Sequence, residues 1–362
     1  MAPLSSARIL RVLALVACVL GSIQLAYAGP IERHAASVNG SAAPVNGSVA
    51  PVNGSAPHVN GSAAPINRIA GYATLHGGTK GGRGGSTVTV KTLAALKKAV
   101  AGKTARIVKV LGIINLRNTA ILVGSYKSIL GVGSKSGFIN GGLYIKGQKN
   151  VIVRNLKFSY SLAPIDAIGV DTSTNIWIDH NEFLSDMSHG KDYYDGLVDI
   201  THACDYVTVS WNRFHDHYKV SLVGHSDTNA IQDTGHLHVT YHHNYFYNVG
   251  SRLPSIRFGS GHVYNNLFEN ADTACHSRMG AKMLVESNVF SGVKTAIQTN
   301  MGSEKDGYAV QRNNILGGGA IKISQAGSPT LGYNAIIDDV SSVSDIVKAY
   351  SGIGKMNLHA VV

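Results

Sequence analysis

The sequence predicts an all-β protein built as a parallel β-helix, in which short strands stack turn upon turn. Strand-like runs recur along the chain and end in one signature, an aliphatic stretch followed by an asparagine and then an apolar residue. The intervals between these asparagines are irregular but never shorter than 22 residues, as from 244 to 266, which suits one turn lengthened by insertions. The signature asparagines are Asn155, Asn181, Asn212, Asn244, Asn266, Asn288 and Asn314.

Each position of the signature has an expected role in such a stack. Asparagine tolerates the left-handed backbone of a tight bend, and stacked side-chain amides can hydrogen-bond one another as a ladder. The phenylalanine or leucine that follows is expected to fill the interior. A β-sandwich with asparagines at its strand ends is the alternative.

One helix is predicted before the repeats. Leu93, Leu96 and Val100 have helical spacing, and Thr92 can cap the first turn. A helix there would cover the open end of the stack, where bare strand edges invite aggregation. The tail Val343–Ala349 is expected to cover the opposite end.

Composition indicates a globular chain with a preference for polyanions. Hydrophobic residues make up 44% and charged residues 15%, and the 41 glycines suit many short strands joined by turns. The net charge of +11 attracts nucleic acid, anionic lipid or acidic polysaccharide alike. No dense basic run exists, so charge alone does not choose among them.

Residues 1–28 have the pattern of a secretory signal peptide. Arg8 and Arg11 precede an apolar run, Val12–Leu20, and Ala26-Tyr-Ala28 supplies a small-residue cleavage site. The apolar run is shorter than the roughly 20 residues that span a bilayer. Secretion is therefore expected, with no membrane attachment once the peptide is removed.

Residues 29–66 are predicted to be a disordered linker. Within them Val-Asn-Gly-Ser-(Ala/Val)-Ala-Pro repeats with a seven-residue step, and its proline and glycine exclude a helix. Each repeat contains an Asn-Gly-Ser acceptor for N-glycans, so the linker is expected to be a glycosylated stalk ahead of a globular domain, 67–362. Expansion of a plain spacer is the alternative. The acceptors are Asn39, Asn46, Asn53 and Asn60.

Cysteine usage leaves two alternatives open. Cys18 belongs to the signal peptide, so only Cys204 and Cys275 remain in the domain. They could form one disulfide or remain two buried thiols. In either case a large apolar core has to stabilise the domain.

Three acidic residues are candidates for a cation site: Asp166, Asp195 and Asp199. Carboxylate oxygens suit hard cations, Ca²⁺ above all. On a straight strand Asp195 and Asp199 would lie about 13 Å apart, too far to share one ion. A bend at Gly196 would place Asp195 on a turn and Asp199 on the next strand. Solvated surface carboxylates are the alternative.

Three basic residues follow the acids along the chain: Lys219, Arg252 and Arg257. If adjacent turns bring them to one face, they suit the carboxylates of an acidic polymer, which arginine can bind through two hydrogen bonds. Binding of phosphate, or a role as ordinary surface charge, is the alternative.

Several ordered motifs resemble the pectate lyases of polysaccharide lyase family 1, most closely the fungal extracellular type. The resemblance covers about residues 69–358. Its motifs are Gly71-Tyr-Ala-Thr-Leu-His-Gly-Gly78, Ser128-Ile-Leu-Gly-Val-Gly-Ser134, Asp166-Ala-Ile-Gly-Val-Asp171, Ile176-Trp-Ile-Asp-His180, Tyr194-Asp-Gly-Leu-Val-Asp199 and Arg252-Leu-Pro-Ser-Ile-Arg257.

The resemblance implies a right-handed parallel β-helix that cleaves polygalacturonate by β-elimination. It implies Ca²⁺ bound by Asp166, Asp195 and Asp199. It also implies catalysis by Arg252 and substrate binding by Lys219 and Arg257. The implied partner is thus an acidic wall polysaccharide, not nucleic acid, and the enzyme is expected to act as a monomer.

One departure bears on the cation site. Some family members have a further acidic ligand where this chain has Pro164, so Ca²⁺ is expected to bind more weakly before substrate carboxylates complete its shell.

Three rival functions are distinguishable by chemistry. Pectin lyases act on methyl-esterified chains without Ca²⁺ and lack the acidic set. Polygalacturonases need paired carboxylates as acid and base and form no double bond. A non-catalytic pectin-binding protein would bind the polymer and yield no unsaturated product.

Overall fold

The computed structural model describes residues 68–356. The predicted signal peptide 1–28, the linker 29–66 and its four sequons lie outside the described residues. Within residues 68–356 no helix is long and apolar enough to cross a membrane.

Short strands dominate the described chain, and helices are few. A 3₁₀ turn at Gly71–Thr74 precedes the first strand, and the helices are α1 (Leu93–Val100), α2 (Ala230–Asp233) and α3 (Val340–Tyr350). The strands are β1 (Ser86–Val90), β2 (Arg106–Val110), β3 (Ile113–Leu122), β4 (Lys127–Gly131), β5 (Gly137–Lys146), β6 (Lys149–Arg154), β7 (Lys157–Ser159), β8 (Ile168–Asp171), β9 (Thr174–Asp179), β10 (Glu182–Leu184), β11 (Val198–Thr201), β12 (Asp205–Ser210), β13 (Arg213–Lys219), β14 (Leu222–Val223), β15 (His238–His242), β16 (Tyr245–Ser251), β17 (Ser255–Arg257), β18 (Ser260–Tyr264), β19 (Leu267–Arg278), β20 (Lys282–Glu286), β21 (Val289–Gln298), β22 (Tyr308–Arg312) and β23 (Ala320–Lys322).

The strands form two parallel sheets that run the length of the stack. A 10-stranded sheet has the order β1-β2-β4-β6-β9-β12-β15-β18-β20-β22, and every neighbour in it belongs to the next turn of the chain. A 13-stranded sheet bends into two faces. The long strand β5 pairs with both β7 and β8, and β19 pairs with both β16 and β17, so these strands join the faces. The prediction of an all-β parallel β-helix is confirmed.

A column of phenylalanines fills the interior, as the signature predicts. Successive rings stack with centroids 4.7–5.0 Å apart, close to the distance between neighbouring strands. Every ring is fully buried. The column comprises Phe158, Phe183, Phe214, Phe246, Phe268 and Phe290.

The predicted asparagine ladder is present from Asn181 to Asn314. Each Nδ2 donates to the Oδ1 of the next rung at 2.9–3.0 Å and also to a backbone carbonyl. Each Oδ1 further accepts the backbone N–H of the preceding rung, as Asn244 does from Asn212 at 3.0 Å. The ladder therefore satisfies the polar backbone at the bend of every turn it crosses.

Two details of the ladder prediction are wrong. Asn155 pairs in register with His180, not with Asn181, so it lies one position before the ladder, and its amide instead donates to Gly131 and Gly133. The left-handed backbone belongs to the residue before each ladder asparagine, as at His180 (φ 52°) and Trp211 (φ 54°). The ladder asparagine itself does not have a left-handed backbone, and its side-chain amide contacts both neighbouring turns, as Asn212 does with Ile178 and Asn244.

Helix α1 closes the first turns of the stack, as predicted. The Thr92 side chain accepts from the backbone N–H of Ala95 at 3.3 Å, which confirms the cap. Leu96 and Val100 are fully buried and belong to the same apolar core as Val108 of β2. The helix thus extends the apolar core beyond the outermost strand at that end of the stack.

The prediction for the tail Val343–Ala349 is wrong in its location. This segment forms most of α3, but Val343 and Val347 pack on Leu267 and Val289, which begin β19 and β21 beside the ladder. The chain then continues along the side of the stack, where the Gly354 N–H donates to Asn155 Oδ1 at 2.7 Å. Apolar residues on one helical face match an apolar stripe on the flank, which sequence periodicity alone does not reveal.

The two cysteines of the domain are free thiols. Cys204 and Cys275 are both buried. Burial raises the pKa of the Cys204 thiol to about 12. Both side chains pack as small apolar groups in the core.

A group of buried histidines lies at the end of β15, in the 10-stranded sheet. His242 stacks on Tyr264 with centroids 5.0 Å apart, and its Nδ1 lies 2.9 Å from that of His243. His243 in turn contacts Asp338 at 3.0 Å. Burial, and then the neighbouring His243, lower the pKa of His242 well below its usual range, so His242 is neutral in the folded protein.

Removing one ladder amide should destabilise the fold. Asn244→Ala leaves the backbone N–H of Asn212 and the carbonyl of Val209 without their partner, at a cost of about 3 kcal/mol in the free energy of unfolding. Urea unfolding measures the change. The exposed Asn334→Ala variant should stay within about 0.5 kcal/mol of the parent, and an equal loss in both would contradict the ladder's role.

Acid should destabilise the fold through the buried histidines. Below the ordinary histidine pKa of 6.5, His242 is protonated in the unfolded chain but stays neutral in the folded protein. The contribution of His242 to the free energy of unfolding is therefore fully present above that pH and falls as the pH drops. The fall in unfolding free energy from pH 7 to pH 5 should be shallower in His242→Gln. An unchanged slope in His242→Gln would refute the explanation.

Candidate active site

The three candidate acids line one cavity on the 13-stranded sheet. Asp166 lies just before β8, Asp195 just before β11, and Asp199 within β11, which is the strand next to β8. All three border a cavity of 370 Å³. Pro164 borders it as well, so the position where some relatives have a further acid faces the same space. The sequence prediction that the acids converge on one side of the stack is confirmed.

The chain bends between Asp195 and Asp199, as predicted, with the bend at Leu197 next to Gly196. Asp195 lies in the connection before β11, and its Oδ1 accepts the Gly196 N–H at 3.0 Å. Asp199 follows on the strand, where its Oδ1 accepts the Leu222 N–H at 2.9 Å. A Cβ on Gly196 would lie 2.4 Å from Asp199 Oδ1. Glycine is therefore needed for the Asp199 carboxylate to occupy this position.

The three acids repel one another. Burial, followed by the charges of Asp199 and Asp195, raises the pKa of Asp166 well above its usual range. Burial also raises the pKa of Asp199 to about 6. The positive charge of Arg252 opposes the rise at both acids without cancelling it. Both Asp166 and Asp199 therefore take up a proton more readily than an exposed aspartate does, and a cation bound beside them would favour their ionised form.

This donor set fits a hard divalent cation, with part of its shell supplied from outside. Crowded carboxylate oxygens are the ligands that Ca²⁺ prefers. Within residues 68–356, no three histidine, cysteine or carboxylate side chains are already grouped closely enough to hold a metal ion. Asp166, Asp195 and Asp199 would thus need to move together or gain further ligands around the ion.

Two of the candidate cations lie beside the acids. Lys219 ends β13, and its Nζ lies 3.0 Å from Asp192 Oδ1 and 3.6 Å from Asp195 Oδ1. Arg252 lies between β16 and β17 with a left-handed backbone (φ 65°), and its carbonyl accepts the Ser221 N–H at 2.8 Å. Among the described residues the Arg252 guanidinium has no hydrogen-bond or ion-pair partner. It is the one predicted cation left available to a ligand.

Arg257 lies farther along the same sheet. It ends β17, where its Nε donates to Asp227 and its Nη1 donates to the Gly224 carbonyl at 2.8 Å. Gly224 precedes His225, which borders the cavity. The structure thus brings Arg257 to the edge of the cavity and holds it there by an internal carboxylate.

The comparisons identify the family. A family model described as pectate lyase matches residues 56–356, most of the chain. The chain belongs to the pectate lyase family. It is 46% identical over 283 residues to a probable pectate lyase A of Aspergillus fumigatus, covering 78% of this chain and 87% of the relative. It is 49% identical over 248 residues to pectate lyase A of Aspergillus niger, covering 68% and 76%.

Solved pectate lyases share the fold. A pectate lyase from Bacillus sp. N165 in complex with trigalacturonate superposes with a TM-score of 0.75 at 32% identity, covering 80% of this chain and all of that one. A pectate lyase variant from Xanthomonas campestris gives a TM-score of 0.68 at 27% identity, covering 81% and 99%. The chain is accordingly an enzyme, a pectate lyase, as the sequence predicts.

Sequence reasoning missed several polar residues of this pectate lyase cavity. Asp171 borders it and accepts from Tyr144 at 2.7 Å and from Lys146 at 3.1 Å, while the rings of His202 and His225 stack 4.1 Å apart. A signal existed for Asp171, because it ends the motif that begins at Asp166. The histidines sit at turns whose direction the sequence pattern does not specify.

Filling the bend should weaken any cation site in this pectate lyase. Gly196→Ala places a methyl group against the Asp199 carboxylate and turns it away. The Ca²⁺ concentration for half-maximal activity should rise about tenfold, as for other changes behind a ligand. Calcium titration of polygalacturonate cleavage measures it. The matched Gly190→Ala variant has open space at its Cβ and should leave the value unchanged. Equal behaviour of the two variants would contradict the assignment of Asp199.

Proposed function

We propose that this pectate lyase cleaves (1→4)-α-D-galacturonan, the polygalacturonate of pectin, by Ca²⁺-dependent β-elimination outside the cell. The supporting observation is one cavity lined by three carboxylates, of which Asp166 and Asp199 lie within reach of the positive charge of Arg252. A hydrolase would need two carboxylates flanking the scissile bond as acid and base and would have no use for that guanidinium.

Asp166, Asp195 and Asp199 are the residues that would hold the cation. When bound, Ca²⁺ supplies Lewis-acid neutralisation of a substrate carboxylate. Pro164 contributes no charged ligand, so substrate oxygens would complete the shell. Affinity for the ion and for the polymer should therefore reinforce each other.

In its neutral form, the guanidine of Arg252 is proposed to take the proton from the carbon next to the substrate carboxylate. The electrons of the broken C–H bond form the carbon–carbon double bond, and the glycosidic oxygen leaves with its electron pair and takes a proton from water. The hydroxide left by that water then takes the proton back from Arg252. Lys219 and Arg257 are proposed to bind carboxylates of the same chain, which orients the reacting residue. The product has a 4,5-unsaturated end.

The setting proposed for this chemistry follows from the sequence. The predicted signal peptide, residues 1–28, supports secretion, and the four sequons at Asn39, Asn46, Asn53 and Asn60 support a glycosylated stalk. The net charge of +11 favours capture of an acidic wall polymer by a single catalytic chain.

A product assay tests the proposal directly. With polygalacturonate and Ca²⁺, ultraviolet absorbance from the new double bond should grow steadily, and a chelator should stop it. Highly methyl-esterified pectin should react more slowly, because it lacks the carboxylates that Ca²⁺ and Lys219 would bind. Reducing ends without absorbance would indicate hydrolysis, and activity on esterified pectin that persists in chelator would indicate a pectin lyase.

The Arg252→Lys variant gives that assay its specific control. It keeps one positive charge but places it on a shorter, compact group that differs from guanidinium in geometry. Turnover should fall by at least about a thousandfold, as on loss of a general base, while the thermal midpoint stays near that of the parent. A variant with the parent rate would refute the role of Arg252.

A further inference from the structure

Two arginines on adjacent turns share an internal carboxylate. Arg257 of β17 and Arg278 of β19 are register partners, so their backbones lie one strand spacing apart and their side chains leave the same face. Asp227, in the loop after β14, accepts from Arg257 Nε and lies 3.7 Å from Arg278 Nη2. One carboxylate thus bridges two guanidinium groups.

Further donors complete the surroundings of this carboxylate. Ser303 Oγ donates to Asp227 Oδ1 at 2.9 Å, and the Glu304 N–H donates to Oδ2 at 3.0 Å. The side chains of Asp227, Arg257 and Arg278 are 18%, 11% and 13% exposed, so water screens them only partly. Donors from three chain segments therefore surround one carboxylate, which is the arrangement of a carboxylate-binding site.

The positive charges of Arg257 and Arg278 favour an anion between the two side chains. Burial, and next the charge of Arg257, lower the pKa of Arg278 to about 10. Burial alone would raise the pKa of Asp227, but the hydrogen bonds from Arg257, Glu304 and Ser303 outweigh it and hold the pKa below its usual range. Asp227 is therefore ionised and supplies the anion that the two arginines need.

Polar groups beside the arginines lack partners in this arrangement. Ser255 and His276 precede the arginines by two residues on the same strands, so they face the same side. They are 2% and 9% exposed, and within residues 68–356 Ser255 Oγ and His276 Nε2 have no hydrogen-bond partner. Gly302 of the loop after β21 lies against the His276 ring.

The arginine pair continues the proposed active site. Register places Asp199 beside Leu222, Leu222 beside Ser255, and Ser255 beside His276. A polymer that follows this column past the acids reaches Arg257 and then Arg278. Its carboxylates would there meet a position already filled by Asp227.

Arg257 is already proposed to bind a carboxylate of the polymer. We propose that Arg278 shares this subsite, and that Asp227 occupies it in the free protein as an internal substitute. The polymer binds by displacing Asp227, so the loop carboxylate competes with substrate. This inference rests on the proposed function and assigns Asp227 a role in setting affinity, not in the chemical step.

The Asp227→Asn variant distinguishes competition from simple support. Asparagine keeps one of the two oxygens that accept from Ser303 and from the Glu304 N–H, and it removes the negative charge that lies between the arginines. If Asp227 competes, KM for polygalacturonate should fall about threefold, the size expected for release of a partly exposed ion pair, while kcat stays within about twofold. If Asp227 only holds the arginines in position, KM should rise, which would overturn the proposal.

A matched control separates this effect from net charge. Asp272→Asn also removes one negative charge, but Asp272 pairs with Lys294 at an exposed position and is not among the residues that border the cavity. Its KM should equal that of the parent. A similar fall in both variants would reduce the result to general attraction of a polyanion and would overturn the proposal.

A substitution of Arg278 completes the test. Arg278→Gln should weaken trigalacturonate binding, measured by calorimetry, by about fivefold, and Asp227→Asn should then give no gain. Unchanged binding in Arg278→Gln would overturn the subsite even if Asp227→Asn does not fold. Calorimetry does not depend on turnover. A parent protein that binds trigalacturonate but forms no unsaturated product would thus refute the proposed function and leave the subsite testable.

Discussion

Register between parallel strands is the constraint on which the rest of this structure depends. Every strand within the stack needs partners in the turns before and after it, because unpaired backbone donors and acceptors are costly when buried. The asparagine ladder and the phenylalanine column enforce the same alignment at the bend and in the interior. Once register is fixed, outward-facing residues of successive turns form straight columns. The turn that a residue belongs to and its position along the strand then decide its neighbours.

The active site follows from that alignment. Asp199 on β11 stands beside the strand that Asp166 precedes, and the connection carrying Arg252 meets β14 through the Ser221 N–H. Residues far apart in sequence are thus brought to one side of the stack, Asp199 by its strand and Asp166, Asp195 and Arg252 by the connections that adjoin strands. Rigid placement matters for electrostatics, since it keeps Asp166 and Asp199 close together despite their mutual repulsion.

Acidic residues in the loops between turns pair with basic residues of the strands. Asp192 contacts Lys219, and Asp227 contacts Arg257, so an acidic loop residue partners each of these two predicted substrate cations. Arg252 alone among the predicted cations has no such partner within residues 68–356. The free protein thus balances its cationic groups internally. An acidic polymer would have to exchange with those partners as it binds, so affinity depends on the loops as well as on the strands.

The sequence by itself determined the repeat, the interior column, the ladder and the capping helix, because each depends on local spacing. The set of three aspartates was implied by motifs that resemble a known family, since their spacing alone left solvated surface carboxylates as an alternative. The misassignment of Asn155 was also local: it stands three residues before Phe158, whereas ladder asparagines stand two residues before theirs. Only the tertiary structure decided that α3 lies along the flank, and that Asp227 bridges Arg257 and Arg278. Those contacts join segments whose approach is set by loop conformation and side-chain packing, and no periodic pattern encodes either.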